Sequence, residues 1–399
     1  MASAAATLAS LPLTVALLVL SILLVFAATL DQVHLGVWGV QAKYFHAFFV
    51  DARVPGTEIL VPVFPGGYLL GGALLANLIA AHFSRFRFSW RKSGIWLTHF
   101  GLILLIAGEG ISGLMQRDDQ MRLDLGQTRR YAESVRDYEL ALVDTSGPRS
   151  DIVVSIPASL LRSTAEIQAP RLPFVVRPVA YFPNAMLRPR ELTADAVASV
   201  ATQGDGTSVL AQPVPAASRE GDTNWPTAYV ELRGPEGSLG VWLVSAMLRD
   251  AQAFDYAGRH WELSLRPRRD YLPYALTLLR FTHDVYPGTD IPKNFASTLR
   301  VQSDDGRTDR KVVIYMNNPL RFEGRAFYQA GYDNNDRTTV LQVVRNPGWK
   351  IPYVACALMA AGLLLQFGLQ LTAFSRRRTI PAPEESPRAL LPRPVPFHR

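Results

Sequence analysis

Cysteine is nearly missing from this chain: Cys356 is the single one among 399 residues. One thiol closes no internal disulfide. The absence of C-x-x-C excludes the usual dithiol oxidoreductases, and the absence of C-x-x-C-H excludes covalent haem attachment to the chain itself. Charge is also sparse, with Asp, Glu, Lys and Arg at 19% against 48% hydrophobic residues. What charge there is leans positive, giving a net +7. In a chain with apolar blocks, such an excess belongs first to loops facing the cytoplasm, so it is no argument for nucleic acid. A basic n-region before the first apolar run is lacking too, and the run is about 20 residues rather than 7 to 15, so that segment is expected to be a retained helix and not a cleaved signal.

Four apolar stretches pass the length test for a membrane span: 10–30, 59–81, 94–115 and about 351–373. The loop between the second and third, HFSRFRFSWRKS, carries Arg85, Arg87, Arg91 and Lys92. The run after the fourth carries Arg376, Arg377 and Arg378. Both are assigned to the cytoplasm by the positive-inside rule. Both termini then lie inside, and 31–58 and 116–350 lie outside. The expected architecture is four transmembrane α-helices plus a large extracytoplasmic β-rich domain, sandwich-like or barrel-like, inserted between helices three and four.

The strands of that domain are expected at 175–182, 228–234, 260–266, 311–317 and 338–344, where β-branched and aromatic residues alternate. Gly, Pro, Asn and Asp clusters punctuate them. The section 196–225 reads as a flexible loop, and 374–399 as a cytoplasmic tail, Pro-rich and disordered. At more than 200 residues the domain has bulk enough to fold on an apolar core without disulfides.

The third span, SGIWLTHFGLILLIAGEGISG, contains two ionisable residues, each costing about 2.5–3.5 kcal/mol to bury in hydrocarbon on insertion scales. His99 falls roughly 7 to 8 Å inside the apolar layer, and Glu109 about 15 Å further along the axis. They cannot share one ligand atom. For His99, a packing residue, a proton path and an axial haem ligand are all open. His82, at the inner end of span two, is the nearest second histidine and reads as an interfacial residue. Glu109 reads as a hydrogen-bonded residue that bonds Ser112 or a loop. Gly67 and Gly71, Gly101, Gly108 and Gly113, and Ala357 and Ala361 are small residues that let helices approach closely.

Several stretches together resemble one family: VFAATLDQVHLGVWGVQAKYF, VPVFPGGYLLGGALLANLIAAHF, WLTHFGLILLIAGE and QMRLDLGQTRRYAESVRDYELAL, then PKNFASTLRV, MNNPLRFEGRAFYQAGYD and NPGW. The chain resembles the ResB family, the CcsB-type component of system II cytochrome c biogenesis. The resemblance implies a bacterial inner-membrane protein that forms a complex with a CcsA-type partner. That complex conveys haem across the membrane for covalent attachment to apocytochrome c. It also implies that His99 is an axial ligand to the iron of haem b, the second ligand coming from the partner.

One departure limits what is carried over. The Trp-rich outside segment belongs to the partner, and the seven Trp here (38, 90, 96, 225, 242, 261 and 349) form no such cluster. His34, His46, His260 and His283 are therefore read as ordinary domain residues. The chain offers no evident residue for making a thioether bond, so any catalytic activity would belong to the complex. RPRRD, 266–270, could attract haem propionates or an acidic partner surface but reads as a solvated face. Two other functions compete: a non-haem membrane assembly factor whose β-domain binds clients, and a transporter component with Glu109 as proton carrier.

Overall fold

The computed structural model describes residues 6–54, 56–57, 59–85, 89–190, 200–215, 223–289, 292–333 and 337–378. Arg87 of the basic loop and the tail 379–399 lie outside them. The described chain divides into two units, one of 1–24, 47–111 and 348–399, the other of 25–46 and 112–347.

The first unit is helical, and the later part of its first helix, from residue 25, is counted with the second unit. Four helices are long and apolar enough to cross a membrane: α1 (Leu11–Val40), α2 (Gly67–Arg85), α3 (Ser93–Met115) and α4 (Ile351–Arg378). α1 bends at Gly36, whose φ of 66° an L-residue with a Cβ would resist. A short hairpin, β1 (Phe49–Arg53) and β2 (Leu60–Pro65), precedes α2.

Glycine decides how α3 and α4 meet. Gly94, Gly101 and Gly108 recur every seven residues and so share a face. A Cβ on Gly94 would lie 2.5 Å from the Gly362 carbonyl oxygen, and one on Gly101 2.9 Å from that of Ala355. One on Gly108 would strike the Ile351 side chain at 2.4 Å. Gly362 repeats the relation from α4, against Thr98 at 2.5 Å. The close approach therefore uses Gly94 and Gly362, and Gly71 has nothing near it. α1 and α2 are joined by a polar clasp instead. The buried Asn77 accepts from the Thr14 hydroxyl at 2.6 Å and donates to the Leu8 carbonyl at 2.6 Å.

The second unit is antiparallel β. One ten-stranded sheet runs β14-β13-β12-β4-β3-β17-β16-β15, with β11 (Gln252–Tyr256) on β12 and β5 (Ile152–Pro157) on β4. Here β3 is Arg117–Asp124, β4 Thr128–Asp144, β12 Arg259–Val285 and β13 Pro292–Ser303. Strands β14 (Asp309–Tyr315), β15 (Leu320–Phe322), β16 (Arg325–Asp333) and β17 (Thr338–Arg345) complete it. A three-stranded sheet, β10-β9-β6, is built from Gly237–Ser245, Thr227–Gly234 and Val175–Phe182. The strands expected from alternation fall on β6, β9, β12, β14 and β17. The flexible loop expected over 196–225 contains a strand, β8 (Val209–Pro213), paired with β7 (Ala185–Pro189). That hairpin puts Leu187, Val209 and Ala211 against Tyr229 and Leu243, so the small sheet is covered there by chain.

Two apolar cores result. One packs the three-stranded sheet on β5 and one half of β4 and β12 around fully buried Trp261, which meets Phe174 edge-on at 5.2 Å. The other lies among β3, β13, β14, β16, β17 and the other halves of β4 and β12, around Tyr274 and Phe327. Burial pushes the Tyr274 hydroxyl up to about 12. The 27-residue β12 and 17-residue β4 serve both cores.

RPRRD lies at the seam between those cores and is not a solvated face. Arg266 bonds Glu139 at 3.0 Å, with Glu139 2% exposed and also accepting from Ser155. Arg269 bonds Glu133 at 3.0 Å and lies over the Tyr131 ring. Asp270 accepts from Arg325 at 2.7 Å. The alternation did not show this, because the carboxylates come from β4, more than a hundred residues earlier.

Two outcomes follow from this packing. Gly101→Leu, which must displace helix backbone, is expected to separate α3 from α4, read as lost protease resistance of the helical unit in detergent while near-ultraviolet signals of the β unit persist. Glu139→Gln or Arg266→Met alone is expected to cost about 3–5 kcal/mol in chemical denaturation, and the double variant less than the sum, since breaking a buried pair strands its partner.

Candidate functional site

His99 sits on α3 at a turn where the helix face is set by its neighbours. The glycine face of Gly94, Gly101 and Gly108 is occupied by α4. Trp96 and His99, three residues apart, lie on one other side, and both meet His82 of α2. The His82 ring is 3.9 Å from the Trp96 ring at 72°, and 6.4 Å from the His99 ring at 36°. His82 is only 6% exposed. Trp96 and His82 lie at equal distance in sequence from Ser89, between the antiparallel α2 and α3, so they come opposite one another, and His99 follows about one turn further along α3.

The His99 Nδ1 lies 2.8 Å from the carbonyl oxygen of Ile95, one turn back on the same helix. A carbonyl only accepts, so Nδ1 donates its N–H there. In a neutral ring this leaves the lone pair on Nε2, the form that ligates a metal. The donor set fits an imidazole-ligated iron: one ring, oriented by a main-chain acceptor and half-buried between helices.

The other ionisable residues separate into different surroundings. Glu109 is exposed, and among the described residues its carboxyl makes no hydrogen bond to Ser112. Ser112 instead exchanges hydrogen bonds with Asn346 in the β-rich unit, the shorter at 3.1 Å. His260 is exposed and bonds Asp255 through Nδ1 at 2.8 Å. His283 stacks at 4.3 Å on Tyr332, beside Phe295. His34 and His46 belong to the segment 25–46, counted with the β-rich unit. The structure brings none of these four to His99 within one unit.

Sequence reasoning also missed a cation–aromatic contact in the β-rich unit. The Arg136 guanidinium lies 3.6 Å over the Trp38 ring. No local pattern links residues about a hundred apart, so only the tertiary arrangement pairs them.

Comparison with known proteins places this geometry in context. Protein NrfI of Wolinella succinogenes is 31% identical over 103 residues, which are 26% of this chain and 11% of that protein. The chain thus spans a small fraction of that relative's length. A family model described as the ResB-like family matches residues 80–339, well over half of the chain, from the end of α2 through His99 into β17. The chain belongs to the ResB-like family.

Proposed function

We propose that the chain is an integral membrane component of system II cytochrome c biogenesis. In this reading it acts with a CcsA-type partner to hold haem b within the bilayer and pass it outward for attachment to apocytochrome c. The observation that carries the reading is the His99 imidazole, half-buried in an apolar helix with Nδ1 tied to Ile95 at 2.8 Å. With Nδ1 donating to its own helix, Nε2 is the ring atom that iron would take. The second axial ligand is assigned to the partner.

Family membership supports the biogenesis role, and the four apolar helices support membrane integration. The bacterial inner membrane is the proposed location, with both termini in the cytoplasm and the β-rich unit on the periplasmic side. Arg91 and Lys92 are exposed in the connection before α3, as a cytoplasmic loop requires. Trp349, Lys350 and Tyr353 group at the opposite end of the topology, where α4 begins, as aromatic and basic residues do at a headgroup boundary.

Bound haem would supply an iron that takes imidazole on its axial positions and a ring whose vinyl groups can add cysteine thiols. The chain's own residues do the holding. Ile95 orients the imidazole, His82 lies beside it with Trp96 packed on His82, and the glycine contacts of α3 with α4 keep the helix backbone close to its neighbour. Any bond-forming activity is assigned to the complex.

A second reading has one observation in its favour. His82 lies 6.4 Å from His99, ring to ring, which suits it to share the same iron within this chain. Co-expression with a CcsA-type partner, purification and a reduced-minus-oxidised spectrum separate the readings. His99→Ala is expected to remove the haem signal, and His82→Ala to leave most of it. Equal loss in both variants, with signal retained when the partner is absent, supports the intrachain pair. A spectrum without any His99-dependent haem favours the assembly-factor scaffold. Glu109→Gln, at an exposed position, is expected to leave haem content and cytochrome c yield unchanged. A lowered yield at unchanged haem content favours the proton carrier.

A further inference from the structure

β4 departs from its ladder with β12 at two places, and at one of them the extra residues are its own. Tyr138 pairs with Pro267 and Glu133 with Arg269, so residues 134–137 stand opposite Arg268 alone. This bulge is held from within: the Ser134 hydroxyl accepts from the backbone N–H groups of Arg136 and Asp137, at 3.3 and 3.0 Å. Bulges of this kind re-aim side chains away from the pairing pattern. Here Arg136 and Asp137 are expelled from the sheet, and the Arg136 guanidinium comes to rest on Trp38.

Beside the bulge is a cavity of about 300 Å³, lined by Arg136, Asp137, Tyr138, Arg162, Tyr181 and Arg268 among others. Three guanidinium groups face one carboxylate. Among the described residues Arg136 and Arg162 form no ion pair, and each lies over an aromatic ring, Trp38 at 3.6 Å and Tyr181 at 5.6 Å. Arg268 is 25% exposed and held loosely between Asp119 and Asp137, at 3.7 and 3.6 Å. Asp119 is 4% exposed, and its Oδ1 makes no hydrogen bond among the described residues. Burial pushes its carboxyl up, and Arg268 opposes that shift. Arg266, by contrast, is engaged by Glu139 at 3.0 Å. This cavity therefore keeps cationic capacity in reserve, with fork-shaped donors held by aromatic faces, an arrangement suited to planar carboxylates.

We propose that this cavity binds a pair of carboxylates on one rigid ligand, the propionates of the haem that the chain conveys. The proposal rests on the function inferred above and extends it to a site in the β-rich unit. At about 300 Å³ the cavity has room for the acidic arms and not for the whole macrocycle. Position along the chain agrees: an adjoining cavity that shares Arg136, Asp137 and Arg268 is lined by Gln116 and Arg117, the first residues beyond α3. An anionic phospholipid headgroup offers similar chemistry but carries one phosphodiester rather than two carboxylates at a fixed spacing.

The test uses the full chain in phosphatidylcholine nanodiscs, with empty nanodiscs as blank. The probes are protoporphyrin IX and its dimethyl ester, followed by porphyrin fluorescence anisotropy. Neither probe holds iron, so His99 ligation is not read. The acid is expected to bind at least about tenfold more tightly than the ester, a factor of the size one charged hydrogen bond supplies. R136Q/R162Q is expected to bring the acid to the ester's affinity and leave the ester unchanged. Both positions are exposed, and an unaltered thermal melt checks folding. Arg136→Lys, which keeps the charge and loses the fork, is expected to fall between. Equal affinity for acid and ester overturns the proposal, as does parent-like binding by the double variant. So does a double variant that keeps the porphyrin preference but loses co-purifying phosphatidylglycerol, which would assign the cavity to lipid. Loss of haem in His99→Ala with this preference intact, or the reverse, tells the two sites apart.

Discussion

The helical unit depends on where an imidazole in an apolar helix finds its hydrogen-bond partner. A polar group among apolar helices is best satisfied by protein, because water is scarce there. His99 donates its Nδ1–H to the carbonyl of Ile95, which sets the orientation of the ring on its helix. The rest of the bundle is consistent with protecting that arrangement. Glycines at three successive heptad positions draw α4 against one face of α3, and Trp96 with His82 fills another. A helix held on two sides has little freedom to rotate, so the imidazole keeps its direction.

The β-rich unit solves a different problem, the joining of two cores. β4 and β12 run through both, so the seam cannot be apolar throughout without merging the cores or leaving strand edges unpaired. Charged pairs occupy it: Arg266 with Glu139, Arg269 with Glu133, Arg325 with Asp270. Buried pairs of this kind add little net stability, but a mismatched register would strand a charge, so they favour one alignment. The bulge at 134–137 falls at the same seam, where pairing is already interrupted. An irregularity costs least there, and it is where side chains are turned outward into a cavity.

The two units differ in how they are specified. Helix packing is set by small residues at fixed spacing, whereas the strands are set by alternation plus long-range pairing. Asn77 shows the limit of the first kind: a single amide in an apolar helix is visible in the sequence, but its partners, Thr14 and Leu8, are more than sixty residues away. Trp38 and Arg136 show the same for the second.

The four apolar helices, the strands β6, β9, β12, β14 and β17, and His99 as the odd residue of α3 were legible along the chain, because length, hydropathy and alternation are local quantities. The family resemblance was legible for the same reason, being carried by contiguous stretches. The burial of His82 beside His99, the use of Gly94 and Gly362 in place of Gly71, the strand within 196–225 and the neutralised RPRRD seam were decided only by the tertiary structure. Each depends on which distant side chain arrives opposite, and a one-dimensional pattern carries hydrophobic period but not partner identity.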